Sequence, residues 1–262
     1  MPSSALHVAR TGLEAQDTRM RVIANNLANI ATTGFKRDRA NFATLAYQDA
    51  RVAGQQSSTE TAYATGLNLG TGVGIQSTTS ITTQGTLSAT GNSLDLALDG
   101  EGYFQVQLPG GKLGYTRAGN FSRSAEGLLV TAQGYPVVPA ITIPEGASAI
   151  TIGNDGTVSA NTAGATAPVE LGQITVAAFA NPAGMQALGD NYLGETAASG
   201  PAQIGPAGDA GRGQIRQGML EASNVNVVEE LVDMIETQRA YEINSKMISA
   251  VDEMLKNANQ TL

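Results

Sequence analysis

The sequence predicts a mainly β protein with discontinuous α-helix, in which one β domain is inserted between an N-terminal and a C-terminal helix. Three observations carry this. Apolar residues recur at intervals of seven at both ends of the chain. The interior is rich in Gly, Thr and Ser, with short alternating runs separated by turn residues. There is no Trp, and 5 Phe and 7 Tyr among 262 residues leave the core to aliphatic side chains.

In the first segment Leu6, Leu13, Met20 and Leu27 form one row of period seven, and Ala9, Gln16, Ile23 and Ile30 a second. Two such rows make the seam of a coiled-coil helix, with Gly34 expected at the C′ position that ends it. The last segment repeats the pattern with Val227, Met234, Tyr241, Ile248, Leu255 and Leu262, supported by Leu231 and later by Val251 and Ala258. Ser223 or Asn224 is expected to cap that helix. Companion positions held by Gln16, Gln238, Ser245, Asp252 and Asn259 make the seams imperfect.

Helices of about 30 and 35 residues are rods of roughly 45 and 52 Å, longer than one small domain can cover. Burying a single seam cannot offset the entropy of ordering so many residues, so further helices from other copies are expected. Residues 1–51 carry seven Lys/Arg against four Asp/Glu, and residues 219–262 three against eight. The opposite signs favour antiparallel or side-by-side pairing of the two ends, although each exposed pair contributes little.

Between the helices, strands are predicted at Leu94–Leu98, Gly102–Leu108, Gly127–Thr131, Ala149–Ile152 and Gln173–Phe179. Turns are expected at Pro109-Gly110-Gly111, Ser124–Gly127 and Asn154-Asp155-Gly156. The expected domains are therefore 1–34 with 219–262 (helical, discontinuous), 35–87 (an extended linking region) and 88–218 (β-rich). The linking region contains the Gly-rich stretch of Gly66, Gly70, Gly72 and Gly74.

A net charge of −8 argues against a nucleic-acid partner. The absence of Cys removes disulfides, thiolate nucleophiles and cysteine zinc sites. The opening "MPSSALHVARTGLEAQDTRMR" has no run of seven apolar residues, so no secretory signal is expected there. His7 is the single histidine and stands one residue off the seam, which leaves no partner set for catalysis or metal binding. Asp95, Asp99 and Glu101 could be imagined as the acid pair of a hydrolase or a calcium site, but their alternating, Gly-flanked context points to turn capping and solvent. Gly70, Gly72 and Gly74 lack the following helix that a phosphate-binding loop needs and are expected in an irregular strand. No cofactor, metal, small-molecule substrate or enzymatic activity is expected.

One stretch is unusual. "ANNLANIATTGFK" at 24–36 places Asn25, Asn26 and Asn29 in a helical stripe that Asn disfavours, so the amides are expected to contact something outside the helix. This motif resembles the N-terminal signature of the bacterial flagellar axial family of rod and hook proteins. "SNVNVVEELVDMIETQRAYEINSKMISAVDEML" at 223–255 is similar to the family's closing segment, and "LDGEGYFQVQLPGGKLGYTRAGNFSRSAEGLLVTAQGYPVV" at 98–138 to its β core. The chain length and the insert "GLNLGTGVGI" resemble the distal-rod members more than the longer hook or shorter proximal-rod ones, with a sibling proximal rod protein as the nearest competitor. The start departs from the family pattern, with Pro2 and two serines ahead of the helix.

The resemblance implies a structural subunit of the basal-body rod, the periplasm-spanning drive shaft. It would be exported unfolded through the flagellar type III apparatus without a cleaved signal, and would polymerise helically as a homo-oligomer. Other rod and hook proteins and the surrounding basal-body rings would be its partners. The terminal helices would pair into an inner tube. Self-assembly would then use Leu6, Leu13, Met20, Ile23, Asn25, Asn26, Leu27, Asn29, Ile30, Gly34 and Phe35 at the N-terminus. At the C-terminus it would use Asn224, Val227, Leu231, Met234, Tyr241, Ile248, Val251 and Leu255. The three asparagines would hydrogen-bond across subunits, and the glycine stretch would lie between neighbours and stiffen the tube. A β-rich surface adhesin with a helical stalk is the alternative from outside the family.

Overall fold

The computed structural model describes residues 2–56, 62–162 and 168–260. The chain forms two units: residues 1–27, 38–79 and 226–262 make one, and 28–37 with 80–225 the other. The expected linking region is therefore divided. Its greater part, residues 38–79, belongs with the helices, whereas 28–37 and 219–225 fold with the β unit.

In the helical unit, α1 spans Pro2–Ala28 and α2 spans Val227–Gln260. Between them in sequence come β1 (Asp38–Thr44), β2 (Tyr47–Arg51), β3 (Leu67–Gly70) and β4 (Val73–Ser80). β2 and β3 pair antiparallel from Tyr47↔Gly70 to Arg51↔Leu67, and β1 pairs with β4. Together they form a two-stranded ribbon along which Asn41 donates to Ser77 Oγ and Thr79 Oγ1 at 3.2 and 3.1 Å. The ribbon exposes Tyr47, Leu67, Leu69 and Ile75.

α1 ends six residues before Gly34, which corrects the expected C′ position. Asn29 stops the helix locally: its Oδ1 accepts the Thr32 hydroxyl at 3.1 Å and its carbonyl accepts Thr32 N–H, a side-chain turn that competes with helix continuation. Gly34 N–H is donated to Glu221 O at 2.8 Å instead of to a helix carbonyl. Its φ of +67° and an ideal Cβ only 2.6 Å from the Arg117 carbonyl carbon explain why only Gly fits there. The cap of α2 is likewise neither Ser223 nor Asn224. Asn226 Oδ1 accepts Val228 N–H at 3.1 Å while Asn226 O accepts Glu230 N–H, which makes Asn226 the N-cap.

The β unit comprises β5 (Leu87–Ala89), β6 (Leu96–Asp99), β7 (Tyr103–Gln107), β8 (Leu113–Thr116), β9 (Ser122–Arg123), β10 (Leu129–Val130), β11 (Ala147–Ile152), β12 (Thr157–Thr162), β13 (Val169–Gln173), β14 (Thr175–Ala178), β15 (Gln186–Gly189), β16 (Tyr192–Gly194), β17 (Gln203–Pro206), β18 (Gln214–Gln217) and β19 (Met219–Glu221). A six-stranded antiparallel sheet runs in the order β15-β16-β8-β7-β14-β17, beside a three-stranded sheet β11-β12-β13. The predicted Asn154-Asp155-Gly156 turn closes the β11–β12 hairpin.

Strand periodicity sorts the side chains of β7. Phe104 and Val106 are fully buried, and Phe104 packs with Leu96, Leu98, Leu129, Ile141, Ile174, Val176 and Ile215 in the aliphatic core. Tyr103, on the opposite face, joins Tyr115, Ala177 and Phe179 in a small aromatic cluster, where Tyr115 and Phe179 meet edge to face at 4.8 Å. Both faces of the central sheet are thus covered.

Candidate functional site

Two constellations stand out, one in each unit. In the helical unit α1 and α2 run antiparallel, because Asn26 meets Glu230, Arg19 meets Asp233 and Gly12 faces Asn244. The contacts between them are polar, and the buried residues of the two helices are mixed: Thr11, Asn26, Glu230 and Thr237 with Ala9, Ala15, Ile23 and Val251.

Asn26 corrects the expectation that its amide bonds across subunits. Its Nδ2 donates to Asp38 O at 2.9 Å and to Glu230 Oε2 at 3.3 Å, and its Oδ1 accepts Asp38 N–H at 2.9 Å. The side chain imitates an extra strand rung at the start of β1 and is used up within the chain. Asn25 is exposed, and Asn29 is half-buried in the turn that ends α1.

Of the other positions expected in assembly, Leu6, Leu13, Met20, Leu27 and Ile30 are half-buried and Ile23 is buried. Phe35, Met234 and Ile248 are half-buried, and Val251 is buried. Val227, Leu231 and Tyr241 are exposed, so they do not line the helix pair of this chain. Leu255 and Ala258 lie in α2 with their side chains outside the described residues, as does Leu262 altogether. The exposed set continues around α2 with Val228 (69 % exposed), Val232, Ile235, Ile243 (61 %), Met247 and Met254 (62 %). These apolar side chains stand in water among the exposed charges Glu229, Glu236, Arg239, Glu242 and Lys246, and so much exposed apolar surface on one helix marks a place for contact with another molecule.

The glycine stretch runs from just before β3, through its junction with β4, into β4. Gly72 has a φ of +123°, and a Cβ there would come within 2.2 Å of Thr11 Oγ1 on α1. The same hydroxyl donates to Val8 O at 2.8 Å and accepts Val73 N–H at 3.4 Å, seating the start of β4 on α1. Gly66 stands beside Arg51 at one end of the β2–β3 pair, and Gly70 and Gly74 beside Tyr47 and Leu45 at and beyond the other.

The second constellation, in the β unit, is one that sequence reasoning missed. Glu221, at 0 % exposure, accepts Lys36 Nζ (2.5 Å) and Gly85 N–H (2.9 Å) on Oε1, and Arg117 Nη1 (3.3 Å) on Oε2. Lys36 Nζ also donates to Thr83 O at 2.8 Å, and Arg117 Nη2 to Gly100 O at 2.7 Å. Burial lowers the Lys36 pKa from its usual value, opposed by the hydrogen bond and charge of Glu221. Asn224 completes the cluster. Its Oδ1 accepts Arg37 N–H at 2.7 Å, and its Nδ2 donates to Ile81 O and Thr83 O at 2.8 and 3.0 Å. The one available signal was Lys36 itself, a charge that follows Phe35 and closes the quoted motif.

The acidic trio is dispersed into structural tasks. Asp95 accepts Thr90 Oγ1 and Asn92 Nδ2, Asp99 pairs with Arg216 at 3.2 Å, and Glu101 is exposed. A polar cavity of about 140 Å³ beside Thr33, Thr116, Asn120, Thr131, Asn191 and Tyr192 is lined by groups bonded to one another, such as Asn191 Nδ2 to Thr33 O at 2.8 Å. Among the described residues no group of three or more His, Cys, Asp or Glu is placed to hold a metal, and no helix is long and apolar enough to cross a membrane.

A β-rich unit inserted in sequence between paired N- and C-terminal helices that expose apolar side chains defines the class, a structural protein. Comparison with known families gives the particular one. Residues 6–36 match the family model described as flagella basal body rod protein, residues 97–160 the D1 domain of flagellar hook protein FlgE/F/G, and residues 216–261 the C-terminal domain of flagellar basal body rod FlgEFG protein. The chain is 51 % identical to the flagellar basal-body rod protein FlgG of Buchnera aphidicola subsp. Acyrthosiphon pisum, over 98 % of both chains. It is 47 % identical to FlgG of Caulobacter vibrioides, over 98 % of both chains, and 36 % to FlgF of the same organism, over 99 % of this chain and 98 % of that one. The chain belongs to the flagellar basal-body rod protein family, as a structural subunit most like its distal-rod members.

Proposed function

We propose that the chain polymerises helically into the distal segment of the rod and transmits torque from the motor toward the hook, without catalysing a reaction. The observation that carries this is the number of apolar side chains that α2 leaves in water, Val228, Ile235, Ile243 and Met254 among them. Exposure on this scale is removed when copies gather around a common axis, and heterologous contacts that do not close a ring generate a helix. In this reading Leu6, Leu13, Met20, Val227, Leu231 and Tyr241 belong to contacts between subunits, with Asn25 and Asn29 beside them. The ribbon carrying Gly66, Gly70, Gly72 and Gly74 lies between neighbours. Rod and hook proteins adjoin the segment along the axis, and the basal-body rings surround it. The chain reaches this place through the flagellar type III apparatus without losing a leader, since helices so dependent on neighbours pass a narrow channel as coil and order on arrival.

The distal-rod assignment over a proximal sibling is supported by the higher identity to FlgG than to FlgF within one organism. The test is electron microscopy of concentrated full-length chain beside a control lacking both terminal helices. Straight tubes from the full chain alone are expected. A closed trimer of fixed mass would point to a stalked adhesin instead.

A further inference from the structure

The chain passes between its two units four times, at 27–28, 37–38, 79–80 and 225–226. On the β-unit side these passages continue into three segments: 28–37, which carries two of them, 80–87 and 219–225. A peptide connection by itself is a poor mechanical coupler, because φ and ψ turn easily. These three segments are nevertheless tied together, and the ties converge on two side chains.

Glu221 reaches all three. Its backbone carbonyl holds Gly34, its carboxylate holds Lys36 and Gly85, and its own strand β19 pairs with β5 at Leu87. Asn224 repeats the arrangement a few residues on, holding Arg37 N–H while donating to Ile81 and Thr83. Through Arg117 the carboxylate is also anchored to Leu98 and Gly100, next to the core strand β6. A fully buried carboxylate that accepts two cationic groups and a backbone N–H is held in a fixed geometry, since releasing any partner leaves an uncompensated charge away from water.

We propose that Glu221 is the mechanical node of the subunit, a positioning residue that makes the connecting segments deform as one body, so that load arriving through one passage is shared by all four. The inference rests on the torque-bearing function proposed above. It adds that the stiffness of the shaft depends on a buried ionic cluster inside each subunit as well as on contacts between subunits.

The test compares Glu221→Gln, which keeps shape but removes the charge, with Leu129→Ala, a core truncation of the same unit in a residue that lies outside these segments and bonds through its backbone to Ile141 and Val137. Filaments are assembled from each full-length variant and their persistence length is measured by electron microscopy. In parallel, amide exchange is followed in the unassembled chain. Glu221→Gln filaments are expected to be severalfold more flexible than wild type, whereas Leu129→Ala filaments keep wild-type stiffness despite a lower melting temperature. Exchange at Gly34, Arg37 and Gly85 is expected to quicken together, by more than about tenfold. Equal stiffness of Glu221→Gln and wild type, or equal softening by both substitutions, overturns the proposal.

If Glu221→Gln does not fold, Lys36→Met removes one arm of the cluster and is judged by the same two readouts. If the wild-type chain forms no filaments, the functional reading fails. The exchange experiment still decides the node, which is refuted if Gly34 and Gly85 quicken while Arg37 keeps its protection.

Discussion

Asn26 and Asp38 are joined by two hydrogen bonds of 2.9 Å, from Asn26 Nδ2 to Asp38 O and from Asp38 N to Asn26 Oδ1. The amide side chain thereby supplies, twelve residues away, both main-chain partners that the first residue of β1 would otherwise find in a neighbouring strand. Replacing Asn26 by Ala removes both of these bonds and the one its Nδ2 donates to Glu230. A loss of about 1–3 kcal/mol is expected in urea unfolding of the full chain. Faster amide exchange at Asp38 is the local check. Asn25→Ala is expected to leave this measurement unchanged.

Gly72→Ala is expected to destabilise the helical unit through two effects, a left-handed φ of +123° and a Cβ 2.2 Å from Thr11 Oγ1. Strain of this kind costs on the order of 1–3 kcal/mol. The double variant with Thr11→Gly removes the clash and leaves the backbone cost, so it should recover part of the loss. Full recovery would show that the dihedral is unimportant.

Val228→Asp and Ile243→Asp place charges at exposed positions of α2, where both side chains are mostly in water. Helicity and melting temperature of the dilute chain should change by less than about 0.5 kcal/mol equivalent. Filament growth followed by light scattering should fail. Normal growth with both substitutions present would remove α2 from the interface.

Lys36 gives a pH signature. Its pKa is lowered from 10.5 by burial. Between the lowered value and 10.5 the unfolded chain holds a proton that the folded chain releases, so this group makes stability rise with pH across that window. The tyrosines of the β unit act in the opposite sense from pH 10.0 upward, because burial raises Tyr103, Tyr115 and Tyr192. Subtracting the Lys36→Met unfolding curve from that of wild type isolates the lysine. The difference should climb toward alkaline pH, and parallel curves would show that Lys36 titrates normally.

Truncating the core at Ile174, which is fully buried among Leu98, Val176 and Ile215, should cost about 2–5 kcal/mol in Ile174→Ala by loss of contacts and a cavity. Chemical unfolding monitored by the tyrosines of the β unit is the measurement.

The two terminal helices, the inserted β architecture and the family were legible in the sequence, since each follows from local periodicity or from motifs held within short stretches. Leu13 and Leu231 announce a helix wherever the chain goes, and the Asn154-Asp155-Gly156 turn closes its hairpin from the preference of its own residues. Tertiary structure alone decided which face of each helix is used inside the chain. Apolar spacing marks what must leave water but does not say against what, so Val227, Leu231 and Tyr241 are exposed while Asn26, Glu230 and Thr237 are buried. It also decided that Lys36, Arg117 and Glu221, spread over 185 residues, meet in one buried cluster. Charged side chains are ordinarily solvated, and their pairing across such distances depends on where β19 and β5 bring the backbone, which no local pattern encodes.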